Sequence, residues 1–186
     1  MAVSIAESGG QGKGPAVKIL RVSIALVMTA AAFPASAGTL TPCFTPGGRC
    51  TDLIVHEIDS AKSELLVQAY SFTSLAIVEA IARAKSRGVD VGVILDRSNE
   101  TGRYSGATYL ENHGIEPLID NTVTIAHNKV LVIDGTKVVT GSFNFTKAAQ
   151  ERNAENVLVI EGDPKIAEAY RKNWKRRAEV SRNYGR

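Results

Sequence analysis

At 186 residues, with 44% hydrophobic and 22% charged content, the chain has the length and make-up of one globular domain built on one core. With two cysteines and three histidines in all, a structural zinc site is not expected. The formal charge of +3 falls to about +1 once residues 1–37 are set aside, so net charge by itself names no partner.

Residues 1–37 do not read as part of that domain. Lys13, Lys18 and Arg21 precede an apolar run from Val22 to Phe33, and Ala35-Ser36-Ala37 follows. That is the order of a secretory signal peptide: a basic region, a hydrophobic region, then a small-residue cleavage site. The run falls short of the roughly 20 residues a helix needs to cross a bilayer, so a permanent anchor is the weaker reading. An N-terminal core helix is weaker still, because Gly9-Gly10-Gln11-Gly12-Lys13-Gly14-Pro15 makes a poor start for a packed element. The expectation is cleavage after Ala37, a single domain over 38–186, periplasmic or secreted localisation, and no stable membrane anchor afterwards.

Export would place Cys43 and Cys50 in an oxidising compartment. They flank Pro46-Gly47-Gly48, and a disulfide between them would tie down the new N-terminus. Closing so short a loop contributes roughly 2–3 kcal/mol on the chain-entropy view.

Leu53, Ile54, Ile58 and Ala61 recur at helical spacing, and Glu64 to Phe72 reads as a buried strand. Ser74 to Lys85 is an amphipathic helix stopped near Gly88, and Val89 to Asp96 is the next strand. This βαβ unit predicts a parallel pair. Ser98 to Ser105 is polar and rich in turn formers, Ala107 to His113 is a short helix ending at Gly114, and Ile115 to Ile119 is a further strand. Strands follow at Thr124–Ile133, Thr136–Thr140 and Asn156–Ile160, then a helix from Pro164 to Val180 with proline in its first turn. Alternating strands and helices predict an α/β layered domain.

From Arg171 onward there are seven basic residues (Arg171, Lys172, Lys175, Arg176, Arg177, Arg182, Arg186) and one acid, Glu179. Such a patch suits a polyanion, and equally suits the solvated face of a terminal helix.

The chemistry lies in the segment from Ile125 to Thr146. Two apolar runs flank Asp134-Gly135, the signal of a two-residue hairpin turn. Such a turn pairs Leu131 with Val138, Lys129 with Thr140, His127 with Ser142 and Ile125 with Asn144. His127, Lys129, Ser142 and Asn144 would then share one face. Val130, Val132, Val139, Phe143 and Phe145 would pack on the other. Gly141, opposite Asn128, would allow close backbone approach. An imidazole, an ammonium, a hydroxyl and an amide gathered this way can hold a phosphate, and imidazole beside a held phosphorus can attack it. The attacking nitrogen must be unprotonated and the other held by an acceptor. Glu155, entering a later strand, is the candidate carboxylate; Asp134 sits in the turn with the opposite parity and is expected to fix the hairpin by local hydrogen bonds.

The pattern His127-x-Lys129-x4-Asp134, followed by Gly141-Ser142-x-Asn144, resembles the HKD signature of the phospholipase D superfamily. The stretch from Gly141 to Thr146, the later Glu155 and the upstream Gln68-Ala69-Tyr70-Ser71-Phe72-Thr73 extend the resemblance over roughly residues 52 to 175, close to the small bacterial endonucleases of that superfamily. The resemblance implies a mixed β-sheet flanked by helices on both faces. It implies a phosphohistidine intermediate on His127, phosphate binding by Lys129, Ser142 and Asn144, orientation of His127 by Glu155, and no metal or other cofactor. Larger members carry two such motifs; here there is one, and His56 and His113 lack the surrounding lysine and aspartate. The resemblance therefore implies a homodimer whose composite active site lies on the two-fold axis.

Nucleic acid is the favoured substrate, given the small one-motif form, the basic C-terminal region and the lack of an apolar surface loop. A phospholipase D or phosphatidyltransferase acting on phospholipid head groups is the alternative. A non-catalytic nucleic-acid-binding module is a third reading, which has no need of a positioned nucleophile.

Overall fold

The computed structural model describes residues 38–101 and 105–185. The expected signal peptide, residues 1–37, lies outside the described residues. Among the described residues no helix is long and apolar enough to cross a membrane.

The elements run β1 (Thr39–Thr45), α1 (Cys50–Ser60), β2 (Glu64–Ala69), α2 (Leu75–Ser86), β3 (Asp90–Asp96), α3 (Ser98–Thr101), α4 (Ala107–Glu111) and β4 (Leu118–Asp120). They continue with β5 (Lys129–Ile133), β6 (Lys137–Gly141), α5 (Lys147–Glu151), β7 (Glu155–Glu161), α6 (Pro164–Val180) and β8 (Arg182–Asn183). One sheet takes the order β1-β7-β6-β5-β2-β3-β4-β8. The expected parallel pair is β2 with β3; β4 joins it in parallel, and every other pairing is antiparallel.

Helices cover both faces, as the mixed α/β architecture requires. On one face Ile54 and Ile58 of α1 and Ile77, Ala80, Ile81 and Ala84 of α2 pack on Leu65, Val67, Leu95 and Leu131. Their spacing of three and four residues puts each set on one side of its helix. Full burial of each large side chain stabilises by about 1.5–3 kcal/mol. On the other face α6 lies over Leu66, Val130, Val132 and Val138. Its indole at Trp174 donates to the Val67 carbonyl at 2.9 Å. Gly92 makes room for it, since a Cβ there would come within 2.7 Å of the Trp174 ring.

Helix ends follow local chemistry. Asp163 caps α6 by accepting from the Lys165 and Ile166 amides, and Pro164 fills the first turn, where no N–H is needed. Past α2, Gly88 adopts φ +89°, and the Val89 amide donates back to the Ala84 carbonyl. That is a left-handed helix stop glycine makes at little cost.

Cys43 and Cys50 form the expected disulfide, joining β1 to the first residue of α1. The strand β1 carried no clear sequence signal: Pro42 lies within it, and Leu40 and Phe44 are exposed. Proline is tolerated there because β1 is an edge strand.

The hairpin register differs from the expectation by one residue. Asp134 and Gly135 do adopt φ +51° and +65°, and the Thr136 amide donates to the Ile133 carbonyl. Thr136 nevertheless belongs to the connection, so pairing begins at Ile133 with Lys137 and runs Leu131 with Val139 and Val130 with Thr140. Only Lys129–Ile133 of the expected longer strand is in the ladder, and His127 precedes it. In consequence Val130, Val132 and Val138 face α6, while Val139, Phe143 and Phe145 join Leu131 in the larger core. Lys137 at this turn is bound to Glu57 of α1, and the carboxylate contact outweighs burial to raise the lysine's pKa above its ordinary value.

Much of the basic C-terminal run is used internally. Arg171 pairs with Glu64, Lys172 with Glu168, Arg177 with the buried Asp120, and Arg182 with Glu100.

Candidate active site

The strand order brings five chain segments to one edge of the sheet. Strands β2 and β3 end there at Ala69 and Asp96, β5 begins at Lys129, β6 ends at Gly141 and β7 begins at Glu155. Ala69 pairs with Lys129 and Gly141 with Val157, which fixes these ends side by side. The carboxyl ends of parallel strands are where open α/β sheets place ligand sites.

Lys129 is 6% exposed, and its Nζ donates to the His127 carbonyl at 2.9 Å. It stands 5.3 Å from the centre of the Tyr70 ring. Burial pulls its pKa below the ordinary lysine value against the opposing charge of Glu155. An anion arriving beside this ammonium would relieve that penalty.

His127 is exposed, and its ring packs on Tyr70 with centroids 4.6 Å apart at 60°. Its ring nitrogens make no hydrogen bond among the described residues. The backbone around it is clamped instead. Asp96 Oδ2 accepts from the Ala126 amide at 2.8 Å, and the Tyr70 amide donates to the Asn128 carbonyl at 3.0 Å. Asn99 Nδ2 donates both to the Tyr70 carbonyl and to the Asp96 carbonyl. Asp96 and Asn99 are 3% and 4% exposed, which makes these bonds difficult for water to replace. Burial works to raise the Asp96 carboxyl, but donation from Ser98 and Ala126 prevails and holds it below the usual carboxylate range.

At the end of β6 the Ser142 and Phe143 amides both donate to the Asn156 carbonyl, at 3.1 and 3.3 Å. Two residues opposing one is a β-bulge, and it re-aims the chain. Gly141 is required here, because a Cβ would sit 2.2 Å from that same carbonyl oxygen. Its close approach is therefore to β7, rather than to Asn128 as the two-residue turn had implied. Ser142 Oγ donates to Glu155 Oε2 at 2.6 Å and accepts from the Asn156 amide at 3.1 Å. Its single proton thus rests on Glu155, and the hydroxyl must turn from that carboxylate to donate to a phosphate. Glu155 also accepts from Asn153 Nδ2 at 2.9 Å. No hydrogen bond joins it to the His127 ring among the described residues; its contacts are with Ser142 and Asn153. Asn144 is half-buried, and its Oδ1 is buried without a hydrogen-bond partner among the described residues.

Asp134 lies at the far end of β5, away from these groups. Its carboxylate accepts from the Lys62, Ser63 and Glu64 amides and the Ser63 hydroxyl. It ties the hairpin turn to the start of β2, a longer-range role than the local bonding read from sequence. Burial favours its neutral form, but the four donors prevail and hold the carboxyl below its ordinary range.

The structure therefore brings the chain segments that carry His127, Lys129, Ser142, Asn144 and Glu155 to one edge of the sheet, joins Ser142 to Glu155 by a hydrogen bond, and leaves Asp134 apart. Sequence reasoning missed the clamp made by Tyr70, Asp96 and Asn99. The available signal was position: Asp96 closes an apolar strand at its carboxyl end, where a polar residue is aimed at a site.

A family model described as cardiolipin synthase, PLD-like domain, matches residues 54–178. The chain belongs to that phospholipase D-like family, and the class of protein defined by fold and site is a phosphodiesterase of the phospholipase D superfamily. More particularly, it is 46% identical over 139 residues to a protein named phospholipase D from Rickettsia conorii, covering 75% of this chain and 69% of the relative. It is 32% identical over 155 residues to a mitochondrial cardiolipin hydrolase from Xenopus laevis, covering 77% of this chain and 73% of the relative. Among solved structures it matches Nuc, a phospholipase D family member from Salmonella typhimurium, with a TM-score of 0.77 and 41% identity, covering 79% of this chain and 98% of Nuc.

Proposed function

We propose that this phosphodiesterase is a metal-independent, non-specific endonuclease that cleaves nucleic acid through a phosphohistidine on His127. The observation that carries the reading is an exposed imidazole whose ring makes no hydrogen bond among the described residues and packs on Tyr70, the same ring that the buried Lys129 ammonium approaches to 5.3 Å. Lys129 and Asn144 hold the phosphate's nonbridging oxygens, joined by Ser142 once its hydroxyl turns from Glu155. Glu155 orients the site, through Ser142 in the free chain and at His127 in the assembled one.

The reaction runs in two in-line steps. A bond forms from the His127 nitrogen to phosphorus as the phosphorus bond to the leaving oxygen breaks, and that oxygen takes a proton from a second histidine. Water then attacks phosphorus and gives its proton to that second histidine, and the phosphorus–nitrogen bond breaks. With one motif per chain, the second histidine is His127 of another copy, so the working form is a homodimer with its site on the two-fold axis. An isolated monomer is nearly inactive. Export by residues 1–37 to the periplasm or beyond completes the reading.

Support for nucleic acid comes from the small one-motif form and from the likeness to Nuc, 98% of which is covered at 41% identity. The internal pairing of the C-terminal arginines weakens the basic patch as an argument. The names of the Rickettsia and Xenopus relatives favour a second reading, hydrolysis of phospholipid head groups.

Purified protein incubated in EDTA with plasmid DNA and, separately, with phosphatidylcholine and cardiolipin vesicles separates the two. Plasmid cleavage that His127→Ala abolishes is expected. Lipid turnover without DNA cleavage would overturn the substrate assignment, and loss of cleavage in EDTA would overturn metal independence.

A further inference from the structure

Beside the imidazole lies a cleft of about 460 Å3 whose lining includes Tyr70, Asp96, Arg97, Glu100 and Ile125. We propose that this cleft is the subsite for the nucleotide flanking the scissile bond, and that Arg97 holds that nucleotide's own phosphate. The assignment rests on the reading of His127 as the nucleophile of a nucleic-acid-cleaving site, and it adds a substrate-positioning residue to it.

Tyr70 is the wall shared by cleft and catalytic site, since its ring packs 4.6 Å from that of His127. The two sites are also held in fixed relation. Asp96 precedes Arg97 directly, and its carboxylate binds the Ala126 amide, one residue before His127.

Among the described residues, charge inside the cleft is arranged to leave one cation available. The Asp96 carboxylate is taken up by the Ser98 and Ala126 amides, and Glu100 is engaged by Arg182. Arg97 is exposed and its guanidinium forms no hydrogen bond or ion pair among the described residues, although its charge acts on Asp96. By contrast Arg83, Arg87, Arg171 and Arg177 are each bound to a carboxylate. An arginine fork is shaped for two oxygens of a phosphate.

The remaining lining suits a nucleoside. Tyr70 offers an aromatic surface and Ile125, 52% exposed, an apolar one. Stacking of a base on an aromatic ring contributes roughly 1–3 kcal/mol and is indifferent to sequence. The volume lies within the range of about 300–1,000 Å3 for small-ligand sites. A polynucleotide places a further phosphate one nucleotide along; a lipid with a single phosphodiester offers Arg97 nothing.

The full chain and its Arg97→Ala and Arg97→Lys variants are compared on a single-stranded oligonucleotide and on bis(4-nitrophenyl) phosphate, which has no flanking phosphate. Arg97→Ala is expected to raise KM for the oligonucleotide roughly tenfold, the effect of one charged hydrogen bond, with kcat held. The salt dependence of oligonucleotide binding should fall in slope by about one, and Arg97→Lys, which keeps the charge but not the fork, should restore that slope and only part of the affinity. Turnover of bis(4-nitrophenyl) phosphate should match wild type in both variants. Equal losses on the two substrates, an unchanged oligonucleotide KM, or a loss seen only with cardiolipin vesicles would each overturn the subsite. His127→Ala, assayed alongside, tests the underlying reading separately, because it should be inactive on both substrates whatever Arg97 does.

Discussion

The β5–β6 hairpin has two ends with opposite chemistry. At the turn, Lys137 is bound to Glu57 and its pKa is raised, while Asp134 accepts from four donors. At the other end Lys129 is more deeply buried, contacts no carboxylate directly, and has its pKa lowered; nearby, Asn144 Oδ1 has no partner among the described residues. The same residue types hold the fold together where their hydrogen bonds are complete. They become a receptor where those bonds are left for a ligand, since an unmet buried polar group costs about 1–3 kcal/mol until something arrives to satisfy it.

The sharpest break in the comparison is expected from His127→Ala, which should lower kcat on plasmid DNA by a factor on the order of 10^4 or more. Its thermal unfolding should match wild type, because the ring is exposed and unbonded. Lys129→Met comes next: removal of one preorganised charge contact costs roughly 10^2- to 10^3-fold in kcat. Urea denaturation should show this variant no less stable than wild type, since the desolvation cost of a buried ammonium goes together with its bond to the His127 carbonyl.

The turn end should respond the other way. Asp134→Ala leaves the Lys62, Ser63 and Glu64 donors without their acceptor, and urea denaturation should show a loss of about 2–4 kcal/mol. Cleavage per folded molecule should change little. Replacing Cys43 and Cys50 together by serine should cost about 2–3 kcal/mol by the same measurement.

The smallest effect is acid-dependent. Because the folded state holds the Asp134 carboxyl below its ordinary range, its contribution is complete above the unfolded value near about 3.9 and is lost as pH falls through the folded value. The stability gap between wild type and Asp134→Asn should therefore narrow in acid, as followed by circular dichroism.

Residue type and spacing made much of this legible. The 17 residues of α6 are bounded by Asp163 and Pro164 on one side and extend to Val180, as the capping signals indicate. The His127, Lys129, Ser142, Asn144 and Glu155 set emerges from its motif. What failed was the register, for a local reason: Asp134-Gly135 takes the positive φ pair of a two-residue turn, yet Thr136 is added to the connection. The bulge at Ser142 then resets the alternation, so that Phe143 and Phe145 enter the core. The bulge depends on hydrogen bonds to the Asn156 carbonyl of β7, and hydrophobic alternation carries no record of it. Asp96 and Asn99 escaped for the same reason, since their partners lie 30 residues away at Ala126 and 29 away at Tyr70.

The disulfide also bears on the order in which the chain can assemble. Strand β1 is the first described element of the chain, yet its sole partner in the sheet is β7, which begins at Glu155. A chain emerging N-terminus first therefore carries an unpaired strand with Leu40 and Phe44 exposed until nearly the whole domain has been made. Bonding Cys43 to Cys50 needs only the next helix, so oxidation can park this adhesive strand on α1 long before its docking edge exists.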